Sequence, residues 1–440
     1  MSRMLRIELR RSAALGAALV LLLTGGIMCY AAPQRWSSSW MALAMIEREY
    51  LVLILPLALA AGAWQGRRES RNGLAELVRS TPRPRPQQVM PILGALGIAV
   101  AGGYLAVLAV AAPRIAGTAR YLPAAAFAVV AVGVLAVVAA AWLGLAAGRL
   151  WPSVAAGPVL ALAGLGWLMG FPGIAHGQEW LGALFSPMYG MSQYSDYETV
   201  SGRLSAAQAV WLVALVVGGY VLHVAQSRRA RAASLLPVAL GVAVAIAVMP
   251  HDRYLPRAID RVAQELVCTT DAPKVCVARV HSTLLPEVTP RARQALALLA
   301  RLPRPPAEAH EDTTTWGRDL PEPRPDPAGI ALMTITVDDR GHLASPADLV
   351  PQTVTRVLGN QGRCPDGLSW SALRAATYWL VGTEPPAEPG FDDDGEWNDH
   401  VGQLWRSLRE LPEADALARV TAVREGALRC ADLDEMLSGK

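Results

Sequence analysis

The sequence predicts a polytopic α-helical membrane protein, six plus one transmembrane helices, with an extracytoplasmic α+β domain at its C-terminal side. Three observations predict it. Apolar runs recur through the first 250 residues, and about 20 apolar residues in a helix cross the hydrocarbon layer. The short segments between those runs alternate between arginine-rich and arginine-poor. After Pro250 the composition turns charged and proline-rich, and four of the five cysteines lie there. At 440 residues, 52% of them hydrophobic, the chain has room for more than one domain.

The expected spans are 12–32, 50–65, 89–112, 122–147, 153–171, 207–225 and 234–249. Backbone groups in lipid must be satisfied within the segment, so these runs are read as helices despite their valines and glycines. The second and last are short. The opening residues carry Arg3, Arg6, Arg10 and Arg11 and are followed by a run long enough to span, which reads as a first anchor rather than a cleaved leader. Small residues at 94–97 and 144–148 allow close helix packing.

Arginine sets the orientation. With the N-terminus inside, the cytoplasmic segments hold fourteen arginines and the outer ones five, as expected if Lys and Arg beside a span resist translocation. Seven crossings then put 250–440 outside. The protein is expected in the plasma membrane as a multi-pass chain in contact with lipid. Its net charge of +3 and the lack of a basic stripe with interleaved aromatics give no reason to expect nucleic acid.

The segment 64–88 is the most informative loop. It holds Arg67, Arg68, Arg71, Arg79, Arg83 and Arg85 against Glu69 and Glu76. Leu74, Leu77 and Val78 fall at i, i+3, i+4, a short helix with one apolar face over about 70–81. Thr81-Pro82 stops it. Such a helix on a cytoplasmic loop offers a dock to a soluble partner. On the other side, the loop 173–205 is rich in aromatics, and its portion 181–189 reads as interfacial or re-entrant. Glu47, Arg48 and Glu49 are expected at an outer edge, leaving no acid within a span and His223 as a lone relay candidate. That pattern argues against a secondary transporter.

In the outer domain, 251–266 reads as an amphipathic helix and 266–280 as a hairpin turning at Asp271-Ala272-Pro273. A helix is expected over 291–302, a linker over 304–327, a strand over 330–337, and helices over 347–358, 370–381, 397–411 and 413–428. Cys268, Cys276, Cys364 and Cys430 suggest disulfides. Hairpin proximity favours Cys268–Cys276, and elimination then gives Cys364–Cys430. Their spacing does not fit a zinc site. His310 lacks the second histidine of a zinc-protease helix, and 392–396 lacks the spacing of a calcium loop.

The stretch from Arg67 to Pro82, placed after the second span, resembles the coupling-helix segment of ABC-2 type transporter permeases. The opening stretch 3–11 is similar to the N-terminal interfacial helix of that family. The likeness covers about residues 1–230. It implies a permease domain over 1–233; the seventh helix over 234–249 and the domain over 250–440 depart from the six-helix pattern of that family, whose members end inside the cell. It also implies that Arg71, Leu74, Leu77, Val78 and Arg79 couple to an ATPase, and that two permease chains pair, identical or sister. No GxxxxGK[ST] phosphate loop occurs in the chain, so no cofactor is expected on it and ATP would enter through a separate P-loop ATPase subunit. The competing readings are a membrane anchor that displays the outer domain as a sensor or scaffold, and a membrane-bound hydrolase.

Overall fold

Helices form where the apolar runs lie, because each helix satisfies its own backbone donors and acceptors. The computed structural model describes residues 7–9, 13–68, 84–193, 195–251, 257–315, 329–359, 369–388 and 395–438. The chain divides into two units, Met1–Asp260 and Arg261–Lys440.

In the first unit the helices are α1 (Ala14–Ala31), α2 (Trp40–Glu49), α3 (Leu51–Gly66), α4 (Arg85–Ala116) and α5 (Ala124–Leu150). They continue with α6 (Ala156–Ile174), α7 (Glu179–Phe185), α8 (Gly202–Val224), α9 (Arg228–Ala233) and α10 (Leu235–Val248). Among the described residues, six stretches are long and apolar enough to cross a membrane: α1, α4, α5, α6, α8, and Arg228–Val248, which combines α9 and α10. They suggest a membrane protein.

The expected second span differs. It forms α3, a 16-residue helix that rises about 24 Å, short of a hydrocarbon layer about 30 Å thick. Its reach is extended by α2. Tyr50, between the two, keeps helical geometry at φ −67° and ψ −7°. Its N–H donates to the Ile46 carbonyl, and its own carbonyl accepts from the Ile54 N–H. Glu47, Arg48 and Glu49 interrupt the apolar pattern of this run, so local hydropathy places its start at Tyr50.

Close contacts fix the directions of the helices. Gly103 meets Ala18, Gly25 meets Val107, and the Tyr30 hydroxyl donates to the Val110 carbonyl at 3.1 Å. Positions along α1 and α4 thus increase together, so these helices are parallel and α3 must bring the chain back between them. On α3, Gly62 and Gly66 lie against the backbone of Ala141 and Leu145 of α5, while Gly144 and Gly148 of α5 lie against Leu59 and Ala63 of α3. A Cβ at any of the four would overlap a carbonyl oxygen. This is a reciprocal small-xxx-small crossing. The remaining contacts continue the alternation: Gly157 and Gly164 of α6 oppose Ala60 and Leu59, and Gly218 and Gly241 pair α8 with α10 in opposite directions.

A two-stranded antiparallel ribbon joins β1 (Glu198–Val200) to β2 (Arg257–Ile259). The amphipathic helix expected over 251–266 is therefore not found among the described residues. The backbone of 257–259 has a strand partner, and only one helical turn, α11 (Arg261–Gln264), follows. The same pairing keeps residues up to Asp260 with the helical unit.

The second unit is α+β. Its sheet has the order β3 (Leu266–Cys268), β4 (Val275–Ala278), β5 (Glu308–Glu311) and β6 (Ile330–Met333). The expected hairpin is the antiparallel pair β3–β4, in which Cys268 stands opposite Cys276. β4, β5 and β6 are parallel, and parallel neighbours need a crossover. α12 (Leu285–Leu299) supplies the first. It starts earlier than the expected 291, with Pro286 in its first turn, where no N–H is missed. β5 falls inside the expected linker, whose prolines mask a four-residue strand. The later helices α13 (Leu349–Gly359), α14 (Trp370–Val381), α15 (Glu396–Arg409) and α16 (Glu413–Leu428) lie where the sequence puts them, and α17 (Leu433–Ser438) is additional. Val277, Val288, Met333, Val354, Leu380 and Val420 lie in one core.

Candidate functional site

Four arginines of the first unit, Arg67, Arg68, Arg85 and Arg149, lie at one end. Arg67 is buried against the ring of Trp64, 4.0 Å from its centroid. Arg68 donates to Glu8 at 3.1 Å, tying the helical residues 7–9 to the end of α3. Arg149, at the end of α5, donates to the carbonyl of His223 at the end of α8, and Arg85 is a further electrostatic neighbour of that histidine. His223 is buried, and its Nδ1 has no hydrogen-bond partner among the described residues. Arg71, Leu74, Leu77, Val78 and Arg79 lie outside the described residues, as do Arg3, Arg6, Arg10 and Arg11. The described flanks of the loop, Arg67, Arg68 and Arg85, nevertheless meet at this end.

A second cluster lies towards the opposite end, and the sequence reading missed it. Glu49 fits the expected edge: Arg35 binds both its oxygens at 2.9 Å and Ser192 donates to it at 2.8 Å. Glu47 and Arg48 do not fit, for each is 0% exposed. The segment that leads into α2 is pinned inward. The Trp36 indole donates to Cys29 O at 2.7 Å and the Trp40 indole to Ala119 O at 2.9 Å. Ser38 bonds Asp196 at 2.7 Å, and Ser39 caps α2 by accepting from the Ala42 N–H. The short α7 covers the cluster from the expected interfacial loop. Its Ala183 carbonyl accepts from Gln208 Nε2 at 2.5 Å, and its Phe185 packs edge-on against Phe171 and Trp211.

Within that enclosure Arg48 donates through Nη2 to Gln208 Oε1, while its Nε and Nη1, both carboxylate oxygens of Glu47 and the hydroxyl of Tyr104 have no hydrogen-bond partner among the described residues. Tyr104 is wholly buried, and its hydroxyl abuts Gly133, where a larger residue would displace it. Neighbouring residues on a helix point in different directions, which explains why Glu47 and Arg48 do not pair. The signal available in the sequence was the apolar run MALAMI before Glu47, too hydrophobic for an exposed loop.

In the second unit a disulfide joins Cys268 to Cys276. Cys430 is also disulfide-bonded, and Cys364, its expected partner, lies outside the described residues. Cys29 is free and buried. Among the described residues no group of three or more His, Cys, Asp or Glu is placed to hold a metal ion. His310 lies on a strand rather than a helix and contacts Glu308 at 3.0 Å. The buried Glu311 accepts from the Ala278 N–H at 2.6 Å and meets His281 Nδ1 at 2.5 Å, bracing β4 against β5. Ser369, Ser371 and His400 converge on Asp434. In this arrangement the acid sits between serine and histidine, so the imidazole has no hydrogen bond through which to take the serine proton.

Comparison with family models, curated proteins and solved structures gives no match to this chain.

Proposed function

We propose that the protein is the membrane permease subunit of an ATP-driven exporter of the ABC-2 type, energised by a separate P-loop ATPase chain that docks on the segment 66–88. The observation that carries this reading is the arginine-bearing end, where the Glu8–Arg68 ion pair joins the N-terminal helical residues to the entrance of that segment. In this reading that end is cytoplasmic. Seven alternating traverses then leave the chain outside after α10. ATP enters only through the partner, and a second permease chain, identical or sister, completes the transporter within the plasma membrane.

The coupling follows the chain. Closure of the ATPase displaces the segment that carries Leu74, Leu77 and Val78, flanked by Arg71 and Arg79. α3 precedes it directly, and the glycine contacts carry α5 with α3. Residues Arg3, Arg6, Arg10 and Arg11 lie at the inner interface and follow the same motion. A second reading, an anchor that displays the second unit as a sensor or scaffold, draws on the separate core of that unit.

Affinity purification from the native membrane in mild detergent, with partners identified by mass spectrometry, separates the two. The wild type is expected to bring down a P-loop ATPase in stoichiometric amount, and Leu77→Asp to lose it at an unchanged level of membrane protein. Recovery of the wild type with no ATPase would overturn the exporter reading in favour of the anchor.

A further inference from the structure

The buried cluster asks for a ligand that the exporter reading does not supply. An ionised carboxylate without a hydrogen-bond donor or counter-ion is strongly disfavoured in an enclosed apolar site, and ionisable groups inside a helical membrane unit are functional candidates by default. Glu47 has neither form of compensation. Both oxygens lack a partner among the described residues, and Arg48, next to it in the chain, turns its guanidinium to Gln208.

The groups around it confirm the deficit. α1 contributes the Cys29 thiol and α4 the Tyr104 phenol as electrostatic neighbours of Glu47. Along α5 the first titratable residue is Arg149, at the far end, and α3 has none before Arg67 beyond its C-terminus. Arg35 and Glu49, the nearest exposed charges in sequence, satisfy each other. What remains is a small cation that fits against a carboxyl oxygen in a packed site.

We propose that Glu47 is a proton-binding site of the helical unit, occupied while α2 is packed into the bundle and emptied when α2 shifts to admit water or to bring Arg48 to the carboxylate. The carboxylate takes its proton from hydronium and returns it to water, with no other bond made or broken. Arg48 Nε and Nη1 stand ready as the replacement partner. Proton binding thereby favours the enclosed arrangement of α2, and proton loss favours the open one. This holds for whatever solute the bundle moves, and it is independent of the ATPase.

Infrared spectroscopy of the full-length protein in lipid nanodiscs tests it directly. At neutral pH the wild type is expected to show the carbonyl stretch of a protonated carboxyl, which Glu47→Gln removes and Arg48→Gln retains. The band is expected to disappear from the wild type as the pH is raised, a measurement that needs no variant to fold. Absence of the band from the folded wild type at neutral pH, or its survival in Glu47→Gln, would overturn the assignment. Appearance of the band only in Arg48→Gln would do the same, because it would show that Glu47 is normally ionised and balanced by Arg48. Failure to recover an ATPase in the purification leaves this result untouched, so the two ideas fail separately.

Discussion

Glu47 and Glu49 are two positions apart and occupy different worlds. One carboxylate is held by Arg35 and Ser192 at a partly exposed edge, and the other is enclosed with no donor among the described residues. The sequence ERE cannot distinguish them, because the difference depends on helical phase and on cover from α7, more than a hundred residues later. Other residue-scale features were legible. The Cys268–Cys276 pair followed from hairpin spacing alone, because a two-stranded turn brings its flanks into register. At the tip of the same hairpin Arg293 bonds Asp271 at 2.7 Å and holds that carboxyl below its ordinary value. A carboxyl whose pKa is lowered by folding stabilises the fold above its unfolded pKa, and that contribution is lost as pH falls through the folded value. Arg293→Ala should therefore move the acid limb of unfolding, followed by circular dichroism, to higher pH. The shift is expected to be small, since the pair is exposed. An acid limb that stays put would mean the pair contributes nothing.

At the scale of elements, what could be read was whatever local chemistry decides. α14 matches its expected range because Ser369 caps its start and Gly382, at φ +85°, ends it. β2 and β5 were missed because each is decided by a distant partner strand, which no local pattern announces. The crossing of α3 and α5 lies between these cases. Gly144 and Gly148 stood out in the sequence, but Gly62 and Gly66 did not, nor did the way the two pairs interlock. Gly144→Ala should force a methyl group into the Leu59 carbonyl and destabilise the bundle by about 1–3 kcal/mol, as overpacking does. Gly102→Ala, with nothing within 4 Å of the added carbon, should leave stability equal or slightly raised. Thermal unfolding of both variants in the same detergent checks the contrast. Equal midpoints would show that the crossing tolerates a Cβ.

At the scale of the whole molecule the decisive quantity is parity. An odd number of traverses separates the N-terminus from the start of the second unit, and an even number keeps them on one side. The sequence reaches seven by counting apolar runs, whereas length alone accepts six. α1 and α4 run parallel, so α3 returns the chain between them, which is the course that the expected count of seven calls for. An epitope tag after Lys440 is thus expected to be cleaved by protease added outside intact cells, with an N-terminal tag protected. The reverse pattern, or protection of both, would overturn the orientation set by arginine. What sequence could not convey is that α2 and α3 are joined through a helical residue. From Trp40 to Gly66 the path is about 40 Å of helix, joined at Tyr50 and interrupted in its hydrogen bonding at Pro56, with Arg67 beside one end and Glu47 near the other. Four glycines seated against carbonyl oxygens leave its lower half no slack with respect to α5. Pro56 lies between the two ends and lacks the N–H that a helix interior uses, so the half seated on α5 is held while the half that bears Glu47 has a point about which to bend.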